Sequence, residues 1–184
     1  MNWRQLTPPH GCDAVFYMTK KYIIGIDPGF TGAVAVYNPT AREIVAVEDM
    51  PIKRSSPLIG QGKANIDVSA LASLILGYGS QSSLCVVERV SAAPGQGVSS
   101  MFRFGEGFGM IQGIIAAAGV RALMPPPSVW KASMNLSSDK DKSLYMVREK
   151  FPSNLSLFTR KKDNGRAEAL LLSLFGAKSL GFEI

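Results

Sequence analysis

The sequence contains few of the residues on which disulfide frameworks, zinc sites and histidine catalysis depend. Of 184 residues only two are cysteine, Cys12 and Cys85, and the only histidine is His10. Cys85 lies in an apolar run, where a buried free thiol is expected, and two cysteines so far apart indicate a reducing compartment. The sequence therefore offers neither a Cys/His pair for nucleophilic catalysis nor a ligand cluster for zinc.

Long apolar runs are also missing. The chain has no stretch of about 18 uncharged apolar residues, the minimum for a membrane span, and the longest candidate is residues 107–120. Residues 1–18 lack the apolar segment of a secretory signal. They are predicted to be a poorly ordered N-terminal extension before a single domain of residues 19–184.

The excess of positive charge is confined to one part of the chain. Residues 121–166 hold ten lysines and arginines against four acids, whereas the other residues hold ten of each sign. The whole net charge of +6 therefore lies in one quarter of the sequence. It is either a solvated basic face or a surface that contacts phosphate groups.

Apolar patterning predicts an α/β fold. Strands are predicted at residues 20–27, 32–38, 43–50, 83–90 and 120–127, and the main helices at 68–77, 98–119, 137–151 and 163–178. Short links favour antiparallel pairing of the first three strands, and the helices between later strands favour parallel crossovers. We expect a central five-stranded mixed sheet flanked by helices, with loops at residues 51–65 and 152–162.

Two further local features are predicted from these helices. Asp67 is expected to cap the first helix, and Ser138 or Asp139 the third. Gly105, Gly109 and Gly113 recur at every fourth position of the second helix. Because glycine inside a helix costs about 1 kcal/mol relative to alanine, such a ridge indicates close packing against another backbone, either the sheet or a second copy.

Four acids stand where apolar segments end or begin. Asp27 ends the first strand and Glu88 the fourth, while Asp163 and Glu168 lie around the start of the last helix. In an open α/β sheet such ends meet at one edge, and clustered carboxylates repel one another unless a cation joins them. Ligand sets made only of oxygen select Mg²⁺, with Mn²⁺ as a substitute.

Each acid also has an ordinary structural interpretation. Asp27 precedes Pro-Gly and can form a turn, Glu88 can pair with a nearby base, and Asp163 can stabilise a helix start. Glu168 is harder to explain in this way, because a lone acid in an apolar helix needs a partner. The joint placement of the four favours a metal cluster.

Six segments in this order resemble a RuvC-type Holliday junction resolvase. They are IIGIDPGFTGAVAV, LCVVERV, GFGMIQGIIAAAG, MPPPSVWKASMNL, KDKSLYMVREKFP and KKDNGRAEALLL, within residues 21–178. The last motif, with SVWKA before it, is most similar to the branch that includes phage and chloroplast resolvases. The resemblance implies an RNase H-like fold, a homodimer and a Mg²⁺-dependent endonuclease acting on four-way DNA junctions or other branched DNA.

The resemblance also implies roles for the four acids. Asp27 matches the first-strand aspartate, which would bridge two metal ions, and Glu88 and Glu168 match acids that would each hold one. Asp163 matches the acid or histidine that opens the last motif, and would complete a site or orient the attacking water. The expected products are symmetric, ligatable nicks with 5′-phosphate and 3′-hydroxyl ends.

The basic excess then becomes a candidate DNA-binding surface. Its candidate phosphate contacts are Lys131, Lys140, Lys142, Lys161, Lys162 and Arg166. Bacterial members carry an aromatic wedge three residues after the strand-four glutamate, where this chain has Ser91. Met101 or Phe102 would be its substitute.

Three rival functions share part of this sequence pattern. The main alternative is another RNase H-like nuclease acting on RNA, an RNA–DNA hybrid or general branched DNA, since its acids would be the same. A sugar kinase or actin-like ATPase needs two such domains, and an inactive DNA-binding protein would not need the acids. The resemblance implies an intracellular, cytoplasmic enzyme of a bacterial or phage-infected cell, with an organelle as the alternative.

Overall fold

The structure is a computed structural model that describes residues 21–54, 64–91, 95, 97–137 and 140–184. The predicted N-terminal extension and the predicted cap at Ser138 or Asp139 lie outside these residues. None of the helices within the described ranges combines the length and apolarity that crossing a membrane requires.

Among the described residues, five strands form the central sheet and two more pair in a separate two-stranded sheet. The strands are β1 (Tyr22–Asp27), β2 (Ala33–Asn38), β3 (Glu43–Asp49), β4 (Ile52–Arg54), β5 (Ala64–Ile66), β6 (Ser82–Val87) and β7 (Ala122–Leu123). The central sheet has the order β3-β2-β1-β6-β7. Strands β3, β2 and β1 pair antiparallel, and β1, β6 and β7 pair parallel, so the predicted five-stranded mixed sheet is confirmed.

Helices cover both faces of this sheet. They are α1 (Val68–Gly79), α2 (Val98–Ala117), α3 (Pro127–Ser133), α4 (Lys140–Lys150) and α5 (Asn164–Ser179), with 3₁₀ helices at Pro152–Phe158 and Lys161–Asp163. Alternate residues of β1 point to opposite faces. Ile23 packs into a core with α3, α4 and α5, here called the α5-side core. Ile24 and Ile26 pack into a core with α1 and α2, here called the α2-side core.

Helix α5 lies directly against β1, and glycines make this approach possible. A Cβ at Gly25 would overlap the carbonyl oxygen of Ala169, and one at Gly165 would overlap the carbonyl oxygen of Thr31. A third, at Gly176, would lie 2.7 Å from the Val86 side chain. These contacts fix the start of α5 above the turn between β1 and β2.

Several sequence-based boundaries were wrong. The described residues of the predicted loop at 51–65 include β4 and the start of β5, which pair antiparallel, with Ile52 opposite the buried Ile66. Residues 152–162 are largely 3₁₀ helix, and β7 is only two residues long because the prolines that follow cannot donate ladder hydrogen bonds. Helix α1 continues past the exposed Gly77 to Gly79.

Other local predictions are confirmed. The Ala70 backbone N–H donates to Asp67 Oδ1 at 3.2 Å, so Asp67 caps α1. Cys85 is a buried free thiol, and burial raises its pKa.

The glycine ridge of α2 does not face the sheet. A Cβ at Gly105, Gly109 or Gly113 would meet no atom of the described residues within 4 Å. Instead α2 packs inward through other residues, including Gly107 and Ile111. The ridge was predicted to pack against either the sheet or a second copy of the chain, and the first of these alternatives is wrong.

The contact between α5 and β1 predicts a large loss of stability for Gly25→Ala. The added methyl group would collide with α5 backbone atoms, which cannot rotate away. Urea unfolding should show a loss of several kcal/mol, as for overpacked cores, or no folded protein. The matched control is Gly77→Ala, where the space is open and stability should rise by up to about 1 kcal/mol. Equal stability of the two variants would contradict this account of the contact.

Candidate active site

Asp27 ends β1 inside a tight turn. Its Oδ1 accepts a hydrogen bond from the Gly29 backbone N–H at 3.3 Å. A Cβ at Gly32 would lie 2.9 Å from the Asp27 carboxyl carbon, so the turn folds closely around this side chain. The turn-forming interpretation of Asp27 is therefore correct, and it leaves the half-buried carboxylate at the edge of the sheet.

Glu88 follows β6 directly beside Asp27. The Glu88 backbone N–H donates to the Ile26 carbonyl at 3.2 Å, which continues the parallel ladder. Side chains two residues apart on a strand share a face. Leu84 and Val86 belong to the α5-side core, so Glu88 lies on that face too. On β1, Ile23 belongs to the same core, which places Asp27, four residues later, on the same face. Asp27 and Glu88 therefore stand at adjacent strand ends, about 4.8 Å apart in backbone spacing, on the face that α5 covers.

Two consecutive residues of α3 contact two of the predicted acids. The Trp130 indole N–H donates to Glu88 Oε1 at 2.9 Å, and Lys131 Nζ donates to Glu168 Oε1 at 2.8 Å. The side chains of Lys131 and Glu168 are only 15% and 10% exposed, so this is a largely desolvated ion pair. Lys131 is the partner that the acid in the apolar helix required.

Asp163 is almost completely buried and is bound by arginine. It is 1% exposed, and it ends the 3₁₀ helix immediately before α5. Arg160 donates from its backbone N–H to Oδ2 at 2.6 Å and from Nε to Oδ1 at 2.7 Å. Burial alone would raise the pKa of Asp163, but these hydrogen bonds outweigh it and lower the pKa.

Asp49 completes an arginine-acid cluster that sequence reasoning missed. Arg166 Nε donates to Asp49 Oδ1 at 2.5 Å, and Arg160 Nη2 donates to Asp49 Oδ2 at 3.0 Å. The hydrogen bond from Arg166 is the main cause that lowers the pKa of Asp49. Asp49 ends β3 as Asp27 ends β1, and this position at a strand end could have identified Asp49 from the sequence. Since Ala33 pairs with both, Asp49 lies at the same sheet edge, two strands away from Asp27.

The four predicted acids are therefore held in different ways. Asp27 and Glu88 are neighbours on the sheet, and Glu168 is linked to them through α3, whereas both oxygens of Asp163 are engaged by Arg160. Within the described ranges, no three acidic, histidine or cysteine side chains are grouped so that they could hold a metal ion. The carboxylates of Asp27, Glu88 and Glu168 have the chemistry of a hard-cation site, and protein cations already contact Glu168 and Asp163.

The candidate DNA-binding residues fall into two groups. Lys142, Lys161 and Lys162 are exposed, whereas Lys131 and Arg166 are largely buried in ion pairs. Lys140 begins α4, and its side chain lies outside the described part. Of the two wedge candidates, Phe102 is 72% exposed and Met101 is half-buried.

Comparison with known proteins identifies the fold. No family model matches the chain, and no curated protein matches it. A structure of T. thermophilus RuvC in complex with a Holliday junction substrate is similar with a TM-score of 0.62 and 19% identity, covering 85% of this chain and 92% of that one. A second Thermus thermophilus RuvC structure has a TM-score of 0.51 and 17% identity, covering 88% and 97%. The chain therefore has a RuvC-type, RNase H-like fold, as the sequence resemblance implied.

The arginine-acid cluster predicts acid sensitivity. Asp49 and Asp163 have lowered pKa values when folded, so their stabilisation is complete above the ordinary carboxyl pKa of about 4 and is lost as the pH falls through the lowered values. We expect Asp49→Asn to be less stable near neutral pH and to lose less further stability on acidification than the wild type.

Thermal unfolding from about pH 7 to about pH 2 measures this difference. Glu43→Gln, an exposed change on the same strand, is the control and should keep the wild-type profile. Parallel pH profiles for Asp49→Asn and the wild type would show that the cluster does not carry the acid dependence.

Proposed function

We propose that this protein is a metal-dependent endonuclease that resolves four-way DNA junctions by symmetric nicks, leaving 5′-phosphate and 3′-hydroxyl ends. The observation that carries the proposal is the placement of Asp27 and Glu88 at adjacent strand ends, on the face where α3 links Glu88 to Glu168. The RuvC-type fold supports it, since a similar T. thermophilus protein was solved with a junction substrate.

Asp27, Glu88 and Glu168 are the residues proposed to hold Mg²⁺, for which Mn²⁺ can substitute. When bound, such an ion activates water and stabilises the leaving oxygen of a phosphodiester. Lys131 neutralises Glu168 in this structure, and its ammonium can instead contact a phosphate oxygen of the substrate. Asp163 remains a proposed member of the site, and it can bind a cation only after Arg160 releases one of its oxygens.

The proposed DNA-binding surface extends from the acids along the basic segment. Lys161 and Lys162 are exposed immediately before Asp163, and Lys142 is exposed on α4. These lysines would bind phosphates and set the position of the duplex arms without reading sequence. The exposed Phe102 on α2 is the better placed of the two proposed wedges, because an aromatic ring open to solvent can stack on a base.

A homodimer is part of the proposal, because paired nicks require two active sites related by a two-fold axis. Helix α2 presents an exposed stripe formed by its three ridge glycines, Gly105, Gly109 and Gly113. The spacing of these residues places them on one side of the helix. We propose this stripe as the dimer contact.

Asp27→Asn tests the nuclease activity. The change keeps the size of the side chain but removes its charge. Loss of a residue that only supports a metal ligand costs up to about 100-fold, so loss of a ligand itself should lower Mg²⁺-dependent nicking of a labelled four-way junction by more than that. Asp67→Asn is the matched control, because Asp67 caps α1 and should leave nicking unchanged.

Plain duplex, RNA–DNA hybrid and flap substrates are assayed beside the junction. Ligatable, symmetric nicks confined to the junction support a resolvase. Stronger cleavage of the hybrid or of RNA would establish the alternative RNase H-like nuclease instead. Binding of the junction without Asp27-dependent nicks would overturn the proposed activity.

Gly109→Ala tests the dimer contact. The methyl group would contact none of the described residues within 4 Å, so the folded monomer should gain up to about 1 kcal/mol of helix stability. If α2 meets α2 closely in a dimer, the same methyl group must weaken association. Sedimentation equilibrium should therefore show a raised dimer dissociation constant, with Gly77→Ala as the control. An unchanged constant would exclude the glycine ridge as the interface.

A further inference from the structure

We propose that Trp130 is a positioning residue that orients the Glu88 carboxylate for cation binding, and that α3 thereby sets the separation of Glu88 and Glu168. This inference rests on the proposed function, because it takes Glu88 to be a ligand of the divalent ion. The family resemblance assigns Trp130 no role, and no feature of the sequence alone pointed to one.

The contact between Trp130 and Glu88 is well defined. The indole Nε1 lies 2.9 Å from Glu88 Oε1, and Trp130 is fully buried. An indole is only a donor, so without this acceptor its N–H would be buried and unsatisfied. Burial of the ring therefore forces the N–H to engage one carboxylate oxygen, and that oxygen cannot rotate freely.

The chemistry of this donor differs from that at Glu168. Lys131 brings a full positive charge to Glu168, and a divalent ion must compete with that charge. The indole of Trp130 is neutral, so this hydrogen bond orients Glu88 without itself adding a positive charge beside the carboxylate. Supporting hydrogen bonds of this kind to ligating carboxylates orient them and reduce the ordering that binding requires.

Helix α3 is held firmly enough to act as a spacer. Pro127 opens the helix with a restricted φ, and Met134 at its other end is buried in the α5-side core. Lys178 Nζ donates to the Ser133 carbonyl at 2.7 Å, which ties the end of α3 to α5. Trp130 and Lys131 are adjacent, so their side chains leave the helix about 100° apart and reach two different elements.

Trp130→Phe removes the N–H and keeps an aromatic ring in the core. Mg²⁺ affinity is measured by calorimetry on the full chain, without DNA. We expect the dissociation constant to rise by about 10- to 100-fold, the range for lost support of a metal ligand. The smaller ring should lower the melting temperature somewhat, since Trp130 is fully buried. Junction binding in EDTA should stay near the wild type, and excess Mg²⁺ should restore nicking. Trp3→Phe, at the only other tryptophan, is the matched control.

A second measurement does not depend on the folding of that variant. In ¹⁵N-labelled protein the indole N–H signal of Trp130, assigned by comparison with Trp3→Phe, should shift when Mg²⁺ is added. The same addition should leave it unmoved in Glu88→Gln. An indole signal insensitive to Mg²⁺, or a Trp130→Phe variant with wild-type Mg²⁺ affinity, would show that Trp130 only fills the core.

These outcomes are separate from a failure of the proposed function. Weaker Mg²⁺ binding by Trp130→Phe in a protein that never nicks junctions would support the positioning role and overturn the substrate. A wild-type protein that binds no Mg²⁺ would overturn both. Loss of melting temperature in parallel with Mg²⁺ affinity, together with an unmoved indole signal, would assign Trp130 to packing alone.

Discussion

The close approach of α5 to β1 is the constraint on which the rest of the structure depends. A helix normally packs on a sheet through side chains on both surfaces, but Gly25 and Gly165 remove that layer and bring backbone onto backbone. Helix α5 thereby lies close enough to the sheet edge for residues at its start to share a face with residues at strand ends. Glu168 and Asp163 belong to the site region because of this contact, although more than a hundred residues separate them from Asp27 in the chain.

Much of the fold could be predicted because its signals are local. Apolar strands, short links and the helical periodicity of later segments were sufficient for the mixed sheet and its flanking helices. The pairing of β4 with β5 was missed because β4 is exposed throughout and each strand, at three residues, is too short to show an alternating pattern. Close backbone packing was predicted at the α2 glycines, but it occurs at Gly25 and Gly165. The partner backbone at these two positions is visible only in the tertiary structure.

The site was predictable in part. Asp27 and Glu88 followed from one rule, that acids at the ends of parallel neighbours meet at one edge. The counter-charges of Glu168, Asp163 and Asp49 did not follow from the sequence. They come from Lys131, Arg160 and Arg166, in segments whose positions depend on the packing of α3 and α5. Lys131 and Arg166 were predicted to contact phosphate, but both are largely buried against acids. Asp49 had the same placement as the predicted acids and was overlooked.

The ion pairs of Glu168 and Asp163 have a consequence for how the chain folds. Many small metalloproteins reach their native state only when the metal joins its ligands, so that synthesis and metal supply are coupled. Here Lys131 and Arg160 balance the buried negative charge from within the polypeptide. The native fold therefore does not depend on a metal ion to offset these charges, and protein made without one can reach its final structure.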